Sequence, residues 1–372
     1  MKKITRKFVL SLSLVFSLML LVSCATTLRV EVTRPSNLNL NGAKTIAVLP
    51  FDKGQFSPFD YVFDYDDKEN LNYFEYYSLI ERTEEKLLNY LQTSLEKEIQ
   101  KSSYLSLVNY IPVQTALKYG SEIPSDAFIS GEVVSFKVHD LVSKEKKPLP
   151  ENGIPEGSVS NVIESSPAEG NGSVPQTQNN VKPDFYYEFS YVREVEFIFN
   201  YQVIDGKTKH VIDYDTIKIE NMSDRVDDKK LLPEIYYMVK DDIDSFIFSL
   251  MKDLQPYKEY KSITLLEDKT KNTRMEEADK LAKDGNYKAS YKAFLSIYDD
   301  INQFEAGYNA AMLLMAMGDL RGAESLMSEV YNNFGNPKAI EALNDIRNEI
   351  KQANRLSNQL NSSTNQPDYI KD

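Results

Sequence analysis

The chain offers few groups from which a catalytic centre could be assembled: two histidines, one cysteine and some clustered carboxylates. His139 and His210 each fall on or beside a predicted strand, and no second histidine stands at metal-ligand spacing from either. Gly206-Lys207-Thr208 has the ending of a phosphate-binding loop, but Tyr201 occupies the place of the first glycine. That tripeptide also lies between two strands, where no helix N-terminus follows to hold a phosphate. Asp60, Asp64, Asp66, Asp67 and Glu69 form an acidic cluster that fails the calcium-loop pattern, with Lys68 in a ligand slot and Glu69 in place of the turn glycine. These residues read as structural or solvated, so the chain is expected to be non-enzymatic and to need no metal or cofactor.

The remaining reactive group is Cys24. It follows a basic cluster, Lys2, Lys3, Arg6 and Lys7, and the mostly apolar run Phe8–Val22. That run is too short to cross a bilayer as a helix but suits an export signal. The exit Leu21-Val22-Ser23-Cys24 resembles the lipobox of bacterial lipoproteins. The resemblance implies cleavage after residue 23 and lipid attachment at Cys24, with the membrane as a partner. Ala25 and Thr26 lack the aspartate that retains such proteins at an inner membrane, so the implied address is the outer membrane, facing the periplasm. As the sole cysteine, Cys24 leaves no disulfide within the chain.

The net charge is −13, and loss of the basic leader makes the remainder more acidic. Such a surface repels nucleic acid and anionic headgroups, so neither is expected as a primary ligand and nucleic acid is excluded as a partner.

Residues 24–42, with Arg34-Pro35 and several Asn, read as a lipidated tether. Lys44–Phe51 is an apolar run ended by Pro50 and reads as a buried strand. Residues 52–77 read as a loop. Leu87, Leu88, Leu91, Leu95 and Ile99 form the stripe of an amphipathic helix over 81–100. Tyr104–Tyr110 and Asp126–Val138 are further strands. Residues 144–183 are crowded with Pro, Gly, Ser, Asn and Gln, and cannot bury enough apolar surface to order themselves. This is expected to be a disordered insertion within one domain spanning 43–256. From Tyr187 to Val203 apolar and polar residues alternate, predicting a long half-buried strand with Arg193 on its apolar face. Asp205-Gly206 supplies a turn, His210–Glu220 the returning strand, and Leu231–Leu254 a helix with Pro233 in its first turn.

The last third is helical and contains a repeat. Ala278, Gly285, Tyr287 and Phe294 recur 33 positions later as Ala311, Gly318, Leu320 and Met327. Helix, glycine turn, helix at this spacing resembles tetratricopeptide repeats. The match departs at Ser290, where that family usually has Ala, and Ala323 keeps it in the second copy. A helix over Pro337–Leu360 can cap the stack. The resemblance implies a protein-binding groove on the inner helices, formed by Glu305, Tyr308, Asn309, Met312 and Met315 in one repeat. Met275, Glu276 and Asp279 are the corresponding residues of the other.

The front part has its own resemblance. The Ala47–Phe51 strand, the amphipathic helix, the second strand and Asp126–Val133 are together similar to the curli-secretion lipoprotein family. That family places such strands in one sheet packed by helices. The expected architecture is therefore an α/β domain, a mixed sheet packed by helices with a long β-hairpin, followed by an all-α tetratricopeptide-like repeat domain over 271–360 and a disordered tail over 361–372. The expected role is a lipid-anchored envelope scaffold or assembly factor that binds another envelope protein. The alternative is a homo-oligomeric secretion channel inserting the 187–220 hairpin.

Overall fold

Runs of alternating or wholly apolar residues become strands, and 3.6-residue stripes become helices, wherever the chain is described. The computed structural model describes residues 26–54, 73–148 and 185–362. In chain order the elements are β1 (Thr27–Arg34), β2 (Thr45–Val48), α1 (Tyr73–Gln100), β3 (Ser106–Val108), α2 (Tyr110–Tyr119), β4 (Ala127–Pro148), β5 (Phe185–Asp205) and β6 (Val211–Met222). They continue with α3 (Ile235–Leu254), β7 (Tyr257–Thr264), α4 (Thr273–Lys283), α5 (Tyr287–Ile301), α6 (Phe304–Ala316), α7 (Leu320–Phe334) and α8 (Pro337–Ser362). The described chain has mixed α/β content followed by a C-terminal helical region. It divides into two compact units, one of Leu38–Leu254 and one built from residues at both ends of the chain.

The Leu38–Leu254 unit is a five-stranded sheet in the order β3-β2-β4-β5-β6. β2 runs parallel to β3 and β4, while β4, β5 and β6 are antiparallel. Leu87, Leu91, Leu95 and Ile99 of α1 and Val239, Ile243, Ile247 and Leu250 of α3 pack on one face. They cover Phe136, Phe197, Phe199 and Val203, each at most 1% exposed. Rings Phe136 and Phe197 meet edge to face at 5.8 Å, a favoured arrangement of aromatic quadrupoles. On the other face Val113 and Ala116 of α2 pack on Ala47 and Phe128. Gly131 lets β4 lie close to β5, since a Cβ there would come within 2.5 Å of the Asn200 carbonyl oxygen and of the Phe199 ring.

Asp126 secures the start of the sheet. Its Oδ2 accepts from the Lys44 and Thr45 amides, each at 3.0 Å, and from the Thr45 hydroxyl at 2.8 Å. Burial works against the charge, but these hydrogen bonds outweigh it and hold the carboxyl below its usual range.

The second unit joins the antiparallel ribbon β1–β7 to helices α4–α8. Gly285 (φ 79°) and Gly318 (φ 84°) turn the chain between α4 and α5 and between α6 and α7, in left-handed conformations that glycine adopts without strain. Ala278 and Phe294 are fully buried, as are their counterparts Ala311 and Met327. Ser290 is buried too, and its hydroxyl donates to the Ala278 carbonyl at 2.7 Å, which accommodates a polar group where the second pair has Ala323.

Several expectations need correction. Residues 24–42 are not a tether throughout, because Thr27–Arg34 forms β1 with Leu28 and Val30 buried. The hairpin strands continue past residue 144, to Pro148, and resume at Phe185. Helix α1 begins at Tyr73, within the expected loop. Tyr110 opens helix α2, so the strand expected there is only Ser106–Val108. Pro233 precedes helix α3, which starts at Ile235 after a single 3₁₀ turn, Lys229–Leu231. α8 extends to Ser362. The leader and Cys24, the acidic cluster at 60–69, most of the 144–183 insertion and the last ten residues lie outside the described residues. Among the described residues no helix is long and apolar enough to cross a membrane.

Candidate functional site

The structure disperses the residues first considered for chemistry. His139 lies on β4 with Nδ1 4.0 Å from Glu194, and His210 is exposed in the β5–β6 turn. Gly206, Lys207 and Thr208 belong to that turn too, where Asp205 Oδ1 accepts from the Lys207 and Thr208 amides at 2.9 and 2.7 Å. Among the described residues no group of three or more His, Cys, Asp or Glu side chains could hold a metal ion.

The inner-helix residues expected to line a groove are mostly packed inside the helical unit. Met275, Met312 and Met315 are buried in its core with Leu28 and Val30 of β1 and Ile263 and Leu265 beside them. Asn309 is 1% exposed. Its Oδ1 accepts from the Leu266 amide at 2.6 Å, and its Nδ2 donates to the Leu266 carbonyl at 2.8 Å. Tyr308 and Glu305 are half-buried, and Tyr308 adjoins the same core. Burial pushes the Tyr308 hydroxyl pKa up. Glu276 is exposed, and Asp279 pairs with Lys283 at 2.7 Å. The chain's own ribbon and the segment after it thus occupy the partners of Asn309 and the methionines.

An open groove of about 540 Å³ lies alongside this packing. One wall is β1 from Val30 to Arg34. The others are Met315–Gly318 and Leu320 at the α6–α7 corner and Glu349, Ala353, Leu356 and Leu360 of α8. Five consecutive residues of β1 line it together with Lys261 and Ile263 of β7, so the groove reaches from the face of the ribbon to an edge of β1. The hydrogen-bond pattern identifies that edge. The Leu265 amide donates to the Thr26 carbonyl, and antiparallel alternation then turns the amides of Leu28, Val30 and Val32 toward β7. Those of Arg29, Glu31 and Thr33 point the other way, to an edge with which no described strand pairs.

One end of the groove carries a closed ion network. Arg34 Nη1 and Nη2 donate to Glu349 at 2.5 and 3.0 Å, and Nε to Glu259 at 2.5 Å. Lys261 Nζ reaches Asp345 at 2.8 Å and Glu349 at 2.9 Å. The bond to Glu349 pushes the Arg34 pKa up. Burial opposes charge on Glu349, but the bonds from Arg34 and Lys261 prevail and hold its carboxyl below the usual range. Burial likewise opposes charge on Lys261, and its bonds to Asp345 and Glu349 still raise its pKa. With the cations matched to carboxylates, the groove is suited to main chain and apolar side chains more than to a charged ligand. Sequence reading missed this network because its members lie far apart in the chain. The one local signal was the alternation of Leu28, Val30 and Val32 within a polar stretch.

Neither a family model nor a curated protein matches the chain. Among solved structures it is similar to a protein from Helicobacter pylori described as a neuraminyllactose-binding hemagglutinin homolog. Identity there is 7%, over 59% of this chain and 86% of that one, with a TM-score of 0.28. It is also similar to a hypothetical protein from Chlamydia trachomatis, at 9% identity over 56% of this chain and 96% of that one, with a TM-score of 0.25. Likeness at that level leaves the functional reading to the chain's own residues.

Proposed function

We propose that the protein is a non-enzymatic, lipid-anchored envelope scaffold that binds an extended segment of another envelope protein along the free edge of β1. The observation that carries this is the groove beside Glu31 and Thr33. Glu31 and Thr33, whose amides point away from β7, share its lining with Leu320, Leu356 and Leu360. A segment laid there adds a third strand, gaining affinity from main-chain hydrogen bonds and specificity from alternate side chains. The lined length of β1 spans about five residues, roughly 17 Å of extended chain.

The lipobox-like Leu21–Cys24 and the basic, apolar leader support anchoring through Cys24, with the outer membrane as the address. The helical pairs and the resemblance to tetratricopeptide repeats support a binding role for the second unit. The core face of the 187–220 hairpin is covered by α1 and α3, which favours a scaffold over a channel inserting that hairpin.

The test is site-specific photo-crosslinking in the native envelope. A photoreactive residue at Leu356 should give one discrete adduct, and one at Ile111 in α2 should not. Thr33→Pro removes an outward N–H while leaving the β7 ladder intact, and should abolish the adduct. An adduct that survives Thr33→Pro, or is equal from both positions, rejects edge binding. Acyl labelling that persists in Cys24→Ala rejects the anchor.

A further inference from the structure

The far end of the β4–β5 hairpin carries a patch of aromatic and basic side chains. Beyond the Asp140–Arg193 pair, the same face of the hairpin continues through Val142 and Tyr191, Lys144 and Phe189, Lys146 and Tyr187, and Pro148 and Phe185. Four aromatic rings and two lysines share this face, and no carboxylate of either strand does. The rings are half-buried, not enclosed. Lys144 Nζ lies 4.0 Å from the Tyr187 ring centre and Lys146 Nζ 3.6 Å from that of Phe185. Glu145 and Glu188 belong to the opposite face, in register with each other. In a chain of net charge −13, two lysines on a strand face without carboxylates of its own are a local inversion of sign, bordered by Glu145, Glu188 and Asp227 beside Phe189.

We infer that this aromatic–lysine face of the hairpin end docks on a phospholipid bilayer surface bearing anionic headgroups. Tyrosine and phenylalanine favour the boundary where apolar and wet surroundings meet. Lysine stems can lie along such rings while their ammonium groups reach outward to phosphates. The two lysines repel the same face of a second copy and attract anionic headgroups, which selects the bilayer. The Asp140–Arg193 pair bounds the face on its inner side, so the contact is peripheral and involves the hairpin end alone. This inference rests on the hairpin and is independent of the groove and of lipid on Cys24.

The chain contains no tryptophan, so a single introduced one reports without background. The full-length protein carrying Tyr187→Trp is mixed with phosphatidylcholine vesicles with and without phosphatidylglycerol, both with brominated acyl chains. Quenching and a blue shift are expected with phosphatidylglycerol, and Tyr214→Trp on β6 should show neither. Lys144→Glu with Lys146→Glu should lower the quenched fraction about tenfold, and salt at about 0.5 M should act in the same direction. Phe189→Trp serves as a second reporter if Tyr187→Trp lowers the melting temperature. Equal quenching without phosphatidylglycerol overturns the anionic assignment. A folded reporter that stays unquenched overturns bilayer docking, and a blue shift that grows with protein concentration without vesicles assigns the face to a second copy.

Discussion

Asn309 holds the main chain of Leu266 from both sides, accepting its N–H at 2.6 Å and donating to its C=O at 2.8 Å. A buried amide that satisfies both main-chain groups of one residue fixes the segment between β7 and α4 against α6. Asn309→Leu keeps the branching at Cγ, adds volume and removes both bonds, leaving a donor and an acceptor without them. We expect it to destabilise the helical unit by about 2–4 kcal/mol, measured by urea unfolding. A change below about 0.5 kcal/mol would show that the Leu266 groups find other partners.

Arg193 and Asp140 form a bidentate pair at 2.6 and 2.7 Å where the apolar core face of the hairpin ends. Asp140 is 2% exposed, and Arg193 also donates to the Pro233 carbonyl at 2.8 Å. Asp140→Leu alone leaves a guanidinium without its counter-charge and should cost about 3–5 kcal/mol. Asp140→Leu with Arg193→Met should recover most of that loss. Equal destabilisation in the single and double variants, in a double-mutant cycle, would reject the uncompensated-charge explanation.

Gly131 and Gly120 distinguish steric from conformational demands. A Cβ at Gly131 meets the Asn200 carbonyl and the Phe199 ring, whereas one at Gly120 meets nothing within 4 Å but sits at φ 68°. Gly131→Ala should cost about 1–3 kcal/mol through forced displacement of β5. Gly120→Ala should cost about 1 kcal/mol, from the left-handed backbone alone. Thermal unfolding that ranks them the other way would contradict the close β4–β5 approach.

The network at Arg34, Lys261 and Glu349 gives a pH dependence. The folded Glu349 carboxyl lies below its ordinary range, so its contribution is present above the unfolded value near ~4.3 and is lost as pH falls through the folded one. Lys261 is raised, so its contribution holds below ~10.4 and is lost as pH rises through its folded value. Melting temperatures recorded from neutral to acid pH should fall in the parent. Glu349→Gln should be less stable at neutral pH and flatter below about pH 4. A parallel acid slope in both proteins would remove Glu349 from the account.

Most of the sheet was legible in local patterns. The alternation from Tyr187 to Val203 and the apolar Ile46–Val48 each carry their own period, and α1 shows its stripe at Leu87–Ile99. Helix α2 was missed despite the Asn109 side chain capping Ile111 N–H and Gly120 at its end, because Pro112 and a short length masked the pattern. β7 was hidden by Lys258, Glu259 and Lys261, the last two on the same face as Ile263, its one buried residue. The expected groove was misplaced for a different reason. The repeat pattern describes neighbouring helices, and nothing within it states that β1, from the other end of the chain, packs with Met312 and Met315.

That strand also sets an order of events. Arg34 pairs with Tyr257 and Thr27 with Thr264, so β1 emerges long before the residues that complete its ribbon. All of Leu38–Leu254 must be synthesised and delivered in between. Until then Leu28 and Val30 have no core to enter, and a chain shortened from its C-terminal end leaves them solvated however well its sheet has formed. Completion of the second unit therefore reports that the chain has been made through α8, and the groove beside β1 comes into being only at that moment.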